Sequence, residues 1–377
     1  MNNLHIITIG TARQLLVPES REYARAKLYA AHTASLTTIV LTRREHGFVN
    51  TLHDENLHVH PTNSRSRFLM LIDALLLCVT VVREEKKKGV CIISSQDPLE
   101  VGWLVALIAF ITRIPFHIQV HGDYWSTGAW CGRSPLRYLR RFFARVLLLR
   151  APAIRVVSER IKQSLIARGV KENKINVLPI RPELETFLKE PDTFNDTESI
   201  TFLSLGRLEP EKNIPRIIRA FALVHKRHFN TRLRIVGEGS ERAKLESLIA
   251  SRHLTDVVSL LPWSACVPKE MSSADVFLLA SLHEAYALTL VEAMASGLPV
   301  VTTDVGCVGD VVRDGEHGLV VYKESDEAYA ETMEHMVVDS DFRKVCGERA
   351  RKKAFEQSRV TQDTYAKAWV TAVSHAQ

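Results

Sequence analysis

A chain of 377 residues is long enough for two domains of ordinary size, and 46% hydrophobic with 24% charged residues marks a folded globular protein rather than a disordered or fibrous one. The six cysteines are scattered without a C-x-x-C pair, which suggests neither a disulfide framework nor a zinc site and fits a reducing cytosol. A formal charge of +6 admits anionic substrates or acidic lipids; no pattern of stacking aromatics on basic strands accompanies it, so a nucleic-acid role is not expected.

The opening MNNLHIITIG lacks the charged region, long apolar core and cleavage site of a signal peptide, and reads as a first strand, Leu4–Ile9. Further strands are expected at Thr37–Thr42, Val90–Ser94, Phe116–Val120, Ile154–Val157 and Ile175–Leu178, alternating with helical stretches. The apolar runs Phe68–Val82 and Val101–Ile111 are too short to span a bilayer, so a cytoplasmic protein is expected, at most peripheral on the cytoplasmic face of the membrane. Arg133–Arg150 (RSPLRYLRRFFARVLLLR) has six arginines and no acid. With Arg137, Arg140 and Arg141 it fits a helix on an anionic membrane surface or one holding an anionic lipid-linked acceptor, and fits equally a core-packing helix with solvated arginines. The Pro-rich, acidic stretch Pro179–Ser199 reads as a linker.

The alternation restarts with strands at Ile200–Leu205, Thr231–Val236, Val257–Leu260, Val276–Leu279, Pro299–Thr303 and Leu319–Val321, and helices at Ile214–Lys226, Glu241–Ser251, Val267–Ser273, Ala287–Ser296 and Glu327–Val338. The fold class is therefore α/β, with two Rossmann-like, doubly wound parallel-sheet domains facing a cleft. The expected boundaries are 1–180, a linker 181–199, 200–358, and a last helix in 359–377.

Chemistry concentrates in Ala280–Gly318, where Glu284 and Glu292 stand eight positions apart across a helix start. Eight residues of helix rise about 12 Å, and the unbonded amides of a helix start attract an anion. A ligand with a phosphate centre and hydroxyl-rich ends suits that spacing: Glu284 on sugar hydroxyls, the amides of Ala287, Leu288 and Thr289 on a diphosphate, Glu292 on a ribose. The spacing is equally met by a capping acid and a solvated helix carboxylate. Arg207 and Lys212 follow a strand and open a helix, where two cations can hold a diphosphate and stabilise the charge it gains on leaving. Gly237 and Gly239 form a G-x-G turn between strand and helix, and His121 ends the strand Phe116–Val120, ahead of Gly122 and Asp123.

Taken in order, His121-Gly122-Asp123, Gly206-Arg207-Leu208 with Glu211-Lys212-Asn213, Val236-Gly237-Glu238-Gly239, and Glu284 with Glu292 resemble the motifs of the retaining GT-B glycosyltransferases. The likeness is to the family-four, group 1 type that uses nucleotide-sugars without a metal. It implies a metal-independent hexosyltransferase with no cofactor, moving a hexose-like sugar to a hydroxyl of a glycan or lipid-linked acceptor in cell-surface glycan or glycolipid synthesis. In this likeness His121, Glu284, Arg207 and Lys212 are catalytic, Glu292, Ala287, Leu288, Thr289, Gly237, Gly239 and Gly10 bind the donor, Asp123 lies on the acceptor side, and the last helix, within 359–377, crosses back to the first domain. The chain departs from the family at Gly10, which stands without a second glycine, and at Ala287 and Cys307, which replace frequent glycines. A nucleotide-sugar epimerase and a non-catalytic sugar-nucleotide-binding protein are the alternatives on the same fold.

Overall fold

Strand β1 (Leu4–Gly10) is buried along its whole length, as befits the centre of a parallel sheet covered on both faces. Its side chains alternate: Leu4 and Ile6 join one apolar cluster and Ile7 and Ile9 another, so one strand nucleates a core on each side of the sheet. The computed structural model describes residues 3–125, 136–188 and 199–377. The chain divides into two units, Met1–Pro179 with Thr361–Gln377, and Ile180–Val360.

The first unit adds β2 (Ser35–Val40), β3 (Leu52–Asp54), β4 (Leu57–Pro61), β5 (Val90–Ser95), β6 (Phe116–Val120), β7 (Ala153–Val156) and β8 (Ile175–Val177). Their order is β3-β4-β2-β1-β5-β6-β7-β8, and only the β3–β4 pair is antiparallel. The direction of winding reverses between β2 and β5, on either side of β1. The second unit holds β9 (Ile200–Leu205), β10 (Thr231–Val236), β11 (Val258–Leu261), β12 (Val276–Leu279), β13 (Val300–Thr303) and β14 (Gly318–Val321), all parallel, in the order β11-β10-β9-β12-β13-β14. Winding reverses there at β9, between β10 and β12. Both sheets are Rossmann-like, and each presents its carboxyl-end loops at one edge, where such sheets take their ligands.

Two elements lie outside the sequence reading. The β3–β4 hairpin extends the first sheet, and a long helix, Ser340–Ser358, packs against the helix Leu288–Ala295 of the second unit. Of the stretch read as linker, 181–188 belongs with the second unit: Leu184 is fully buried and Arg181 Nε donates to the Val360 carbonyl at 2.7 Å. Residues 189–198 lie outside the described residues.

The last helix, Gln362–Ser374, is part of the first unit. Trp369 stacks on Tyr29 with ring centroids 4.5 Å apart. The buried guanidinium of Arg155 donates to Gln119 Oε1 at 2.9 Å, to Tyr365 Oη at 2.8 Å and to the Leu178 carbonyl at 2.9 Å. Trp369 Nε1 donates to the same Gln119 oxygen at 3.3 Å. A buried cation is tolerated when its donors are satisfied, and here the acceptors are neutral groups drawn from β6, the end of β8 and the last helix.

Candidate active site

The second unit's site is built from the loops that leave β9, β10, β12 and β13. After β9 the chain passes Gly206 and Arg207 and makes a short turn, Pro210–Lys212, before the helix Ile214–His225. After β12 it makes a loop of its own, and the two loops are tied by the Leu282 amide donating to the Glu211 carbonyl at 2.8 Å. That contact brings Lys212 Nζ to 2.5 Å from Glu284 Oε1, both side chains largely buried. Ser281 Oγ donates to the same oxygen at 2.7 Å, and Thr303 Oγ1, at the end of β13, fixes the Ser281 carbonyl at 2.6 Å. Glu284 is thus aimed by three elements, with Oε2 left for another donor among these contacts.

Arg207 is not drawn into this pair. Its guanidinium is largely exposed and meets Glu211 at 3.0 Å, an ion pair too open to hold it firmly. Gly237 and Gly239 lie directly against the Gly206–Leu208 turn: a Cβ on Gly237 would collide with the Gly206 carbonyl oxygen, and one on Gly239 with that of Leu208. Their absence of side chains lets the loops after β9 and β10 pack backbone to backbone.

The helix begins at Leu288, one residue later than its sequence suggests, because Ala287 is left-handed at φ 63°. This is the position where glycine would sit without strain, and an alanine there costs about 1 kcal/mol. Gly306, at φ 60°, lies beneath it, where a Cβ would come 2.8 Å from the Tyr286 carbonyl oxygen. Only Leu288–Glu292 of the Glu284–Glu292 interval is helical, so the helical rise between them is about 6 Å rather than 12 Å. Among the described residues no acceptor is met by the backbone amides of Ala287, Leu288 and Thr289. Glu292 faces a half-buried position, and burial raises its pKa above the usual carboxylate value. Cys307, in the place of a glycine, is fully buried, and burial pushes its thiol up to about 12.

The first unit's candidates stand at the carboxyl ends of its strands. Gly10 ends β1, where a Cβ would collide with the Gln96 side-chain amide. His121 follows β6; burial first, then Arg155 and Arg25, lower its pKa to about 3, so the imidazole is neutral across physiological pH. Asp123 Oδ1 accepts from the Trp125 amide at 2.9 Å and from Ser164 Oγ at 3.1 Å, bonds that hold a loop in shape. Arg140 and Arg141 lie on the helix Leu136–Arg150, Arg140 donating to Glu100 at 2.9 Å; Arg137 is on the same helix, and its side chain lies outside the described residues.

Sequence reading passes over Ser281, Gln96 and the helix Ser340–Ser358 as parts of this arrangement. Ser281 had no signal beyond a polar residue at a strand end. The pairing of Arg207 with Glu211 had no signal either, since a spacing of four joins side chains on a helix and Arg207 lies on a loop ahead of the short turn.

Residues 187–353 match the family described as glycosyl transferases group 1, and residues 21–181 match that described as glycosyl transferase 4-like domain. An exopolysaccharide phosphotransferase of Streptomyces coelicolor is 33% identical over 231 residues, 59% of this chain but 24% of the relative, so the chain spans only a quarter of that protein's length. The capsular polysaccharide biosynthesis glycosyltransferase CapM of Staphylococcus aureus is 23% identical over 372 residues, 93% of this chain and 91% of that one. Among solved structures, Anabaena HepE in complex with UDP and glucose superposes with a TM-score of 0.71 at 17% identity, over 98% of this chain and 99% of that one. At that identity the likeness speaks for the fold.

Proposed function

We propose, because this chain belongs to the group 1 glycosyl transferases, that it transfers a hexose-like sugar from a nucleotide-sugar to an acceptor hydroxyl with retention, in the synthesis of a cell-surface glycan or glycolipid. The observation that carries this reading is the Lys212–Glu284 pair, 2.5 Å apart and shielded from water, with Glu284 on the loop that leads to three backbone amides with no acceptor among the described residues. In such a site Glu284 binds sugar hydroxyls through its remaining lone pairs, and Lys212 presents charge to the diphosphate. As the glycosidic bond loosens, positive charge grows on the sugar and negative charge on the departing phosphate. Cations and amides already fixed in place lower that barrier without reorganising.

In this proposal Arg207, on an exposed arm, closes on the diphosphate when it binds, and Glu292 accepts from the ribose hydroxyls. Arg207 and Lys212 together supply the positive charge for the leaving group, so the reaction is proposed to need no divalent metal. His121 is the first unit's proposed contribution to the reacting sugar. A neutral imidazole can orient a hydroxyl without repelling a cationic centre. The UDP and glucose bound to the Anabaena protein and the capsular role named for the Staphylococcus relative support a nucleotide-sugar donor and a glycan or lipid-linked acceptor.

The test is a thermal-shift series with UDP-, GDP-, ADP- and CMP-sugars, followed by transfer assays with the donor that binds. One base class should raise the transition, by about 2.7 kcal/mol at a hundred times its dissociation constant. Lys212→Ala should then slow sugar release by about 10²–10³-fold. Binding without transfer or hydrolysis, or a product epimerised with no acceptor present, would overturn the proposal.

A further inference from the structure

The helix Glu100–Thr112 lies on β1, β5 and β6, with the helices Leu69–Glu85 and Leu136–Arg150 packed on either side of it. Its inward positions, Val101, Leu104, Val105 and Ile108, are buried in the first unit's core. A surface helix normally turns charged residues to water. Here no charged residue occurs from Val101 to Thr112, and the outward stripe is Trp103, Leu107, Phe110 and Ile111, with Phe110 82% exposed. The neighbours continue it: Ile72 and Leu76 are exposed on one side, Leu139 and Phe142 on the other. Single exposed apolar side chains need no explanation, whereas an apolar face shared by three adjacent helices does.

The face is also a fixed one, and one of its three helices is basic. Trp103 meets Phe143 edge to face at 5.8 Å between ring centroids, and Arg140 reaches Glu100 at 2.9 Å, so the second and third helices are joined at their outer surface. Leu136–Arg150 carries five arginines and no acid. Aromatic and aliphatic residues interleaved with arginine suit the boundary between lipid headgroups and acyl chains, where the apolar groups enter and the guanidinium groups meet phosphates. A second copy of the chain fits less well, because a two-fold contact would set the arginine-rich helix against itself. Among the described residues no helix is long and apolar enough to cross a membrane.

We propose that this three-helix face seats the protein on an anionic phospholipid bilayer, lying in the interface without crossing it. The seat is independent of the donor site, and its failure would leave the transfer reaction untouched. The experiment is co-sedimentation of the full chain with vesicles of phosphatidylcholine alone or mixed with phosphatidylglycerol. The wild type should pellet with the mixed vesicles. Phe110→Ser with Phe142→Ser should lower that partition by about tenfold or more, since each removes a buried aromatic from the lipid phase, while the melting temperature stays unchanged because both side chains are exposed in the free protein. Arg140→Gln with Arg141→Gln should reduce the preference for phosphatidylglycerol. A wild type that stays in the supernatant, equal pelleting of the Phe variant, or a dimer in sedimentation equilibrium that the Phe variant dissociates would each overturn the proposal.

Discussion

Glu292 is half-buried on the helix whose first amides are open, and burial alone holds its pKa above the usual carboxylate value. An acid with a raised folded-state pKa binds its proton more tightly folded than unfolded. Its contribution is therefore most favourable below the ordinary carboxylate pKa, and stability is lost as pH rises past that value towards the folded one. At neutral pH the carboxylate is a burden on the fold, and a ligand that donates to it removes the burden. Glu292→Gln should melt higher than the wild type at neutral pH, with the advantage gone below about pH 4. The same variant should bind the nucleotide-sugar about tenfold or more weakly, since a hydrogen bond to a charged acceptor is replaced by a neutral one. Unchanged donor affinity in calorimetric titration would remove Glu292 from the site. His121 has the opposite sign: with its pKa lowered to about 3, its neutral form is favoured by the fold, and the stability it contributes is lost as pH falls below about 6.5.

At the scale of elements, the donor-side loops depend on backbone packing that few residues permit. Gly237 has φ 155° and lies against the Gly206 carbonyl. Gly237→Ala should destabilise the second unit by about 3 kcal/mol, as collision adds to strain. Gly309→Ala is the control, with φ 91° and nothing within 4 Å of the added Cβ, and should cost about 1 kcal/mol. Urea midpoints of the two variants measure the difference; equal midpoints would show that the loops part freely.

The same loops show what could be read beforehand. Parallel strands buried on both faces appear as short apolar runs, so twelve strands were legible within a residue or two of their observed ends. The spacing of Glu284 and Glu292 was legible, but a capping acid and a solvated helix carboxylate meet it equally, and the resemblance rather than the spacing marked the pair as a donor site. Strand β3 was not legible: Leu52, His53 and Asp54 give no alternation, and the strand sits at the sheet's margin with none of its residues fully buried. Strand β4 does alternate, with Leu57 and Val59 buried between histidines, and was passed over for its shortness and its proline. The helix Ser340–Ser358 was missed for another reason. Its buried residues are Cys346, Gly347, Ala350 and Ala354, a stripe of small groups that allows close approach but makes no hydrophobic pattern. Gly347 lies against the Gly297 carbonyl, just beyond the helix that carries Glu292. Support for the donor helix thus comes from a segment in which nine of nineteen residues are charged. The contact of Ser281 with Glu284, likewise, depends on how two loops meet, which no local spacing records.

At the scale of the molecule, the first unit is assembled from both ends of the chain. Its last helix supplies Trp369, Val370 and Val373 to the cluster that contains Leu4, Ile6 and Tyr23, and burying each such side chain contributes about 1.5–3 kcal/mol. A chain ended after Val360 should lose the first unit's thermal transition, since that apolar surface opens and Arg155 loses Tyr365 as an acceptor. The second unit, whose residues run from Ile180 to Val360 without interruption, should keep its transition and its donor-induced shift. Calorimetry separates the two; a truncated chain that retains both transitions would show that the last helix is dispensable to the first sheet.

That arrangement also orders events during synthesis. Domains generally fold as they leave the ribosome, the earlier one first. In this chain the middle segment can finish while the beginning still waits. The apolar face around Tyr29 stays bare until Gln362–Ser374 emerges, after the other helices among the described residues have been made. Translation must therefore pass Ser374 before the first-made unit can close, and a nascent chain stalled near Val360 would hold one folded domain and one open to chaperones.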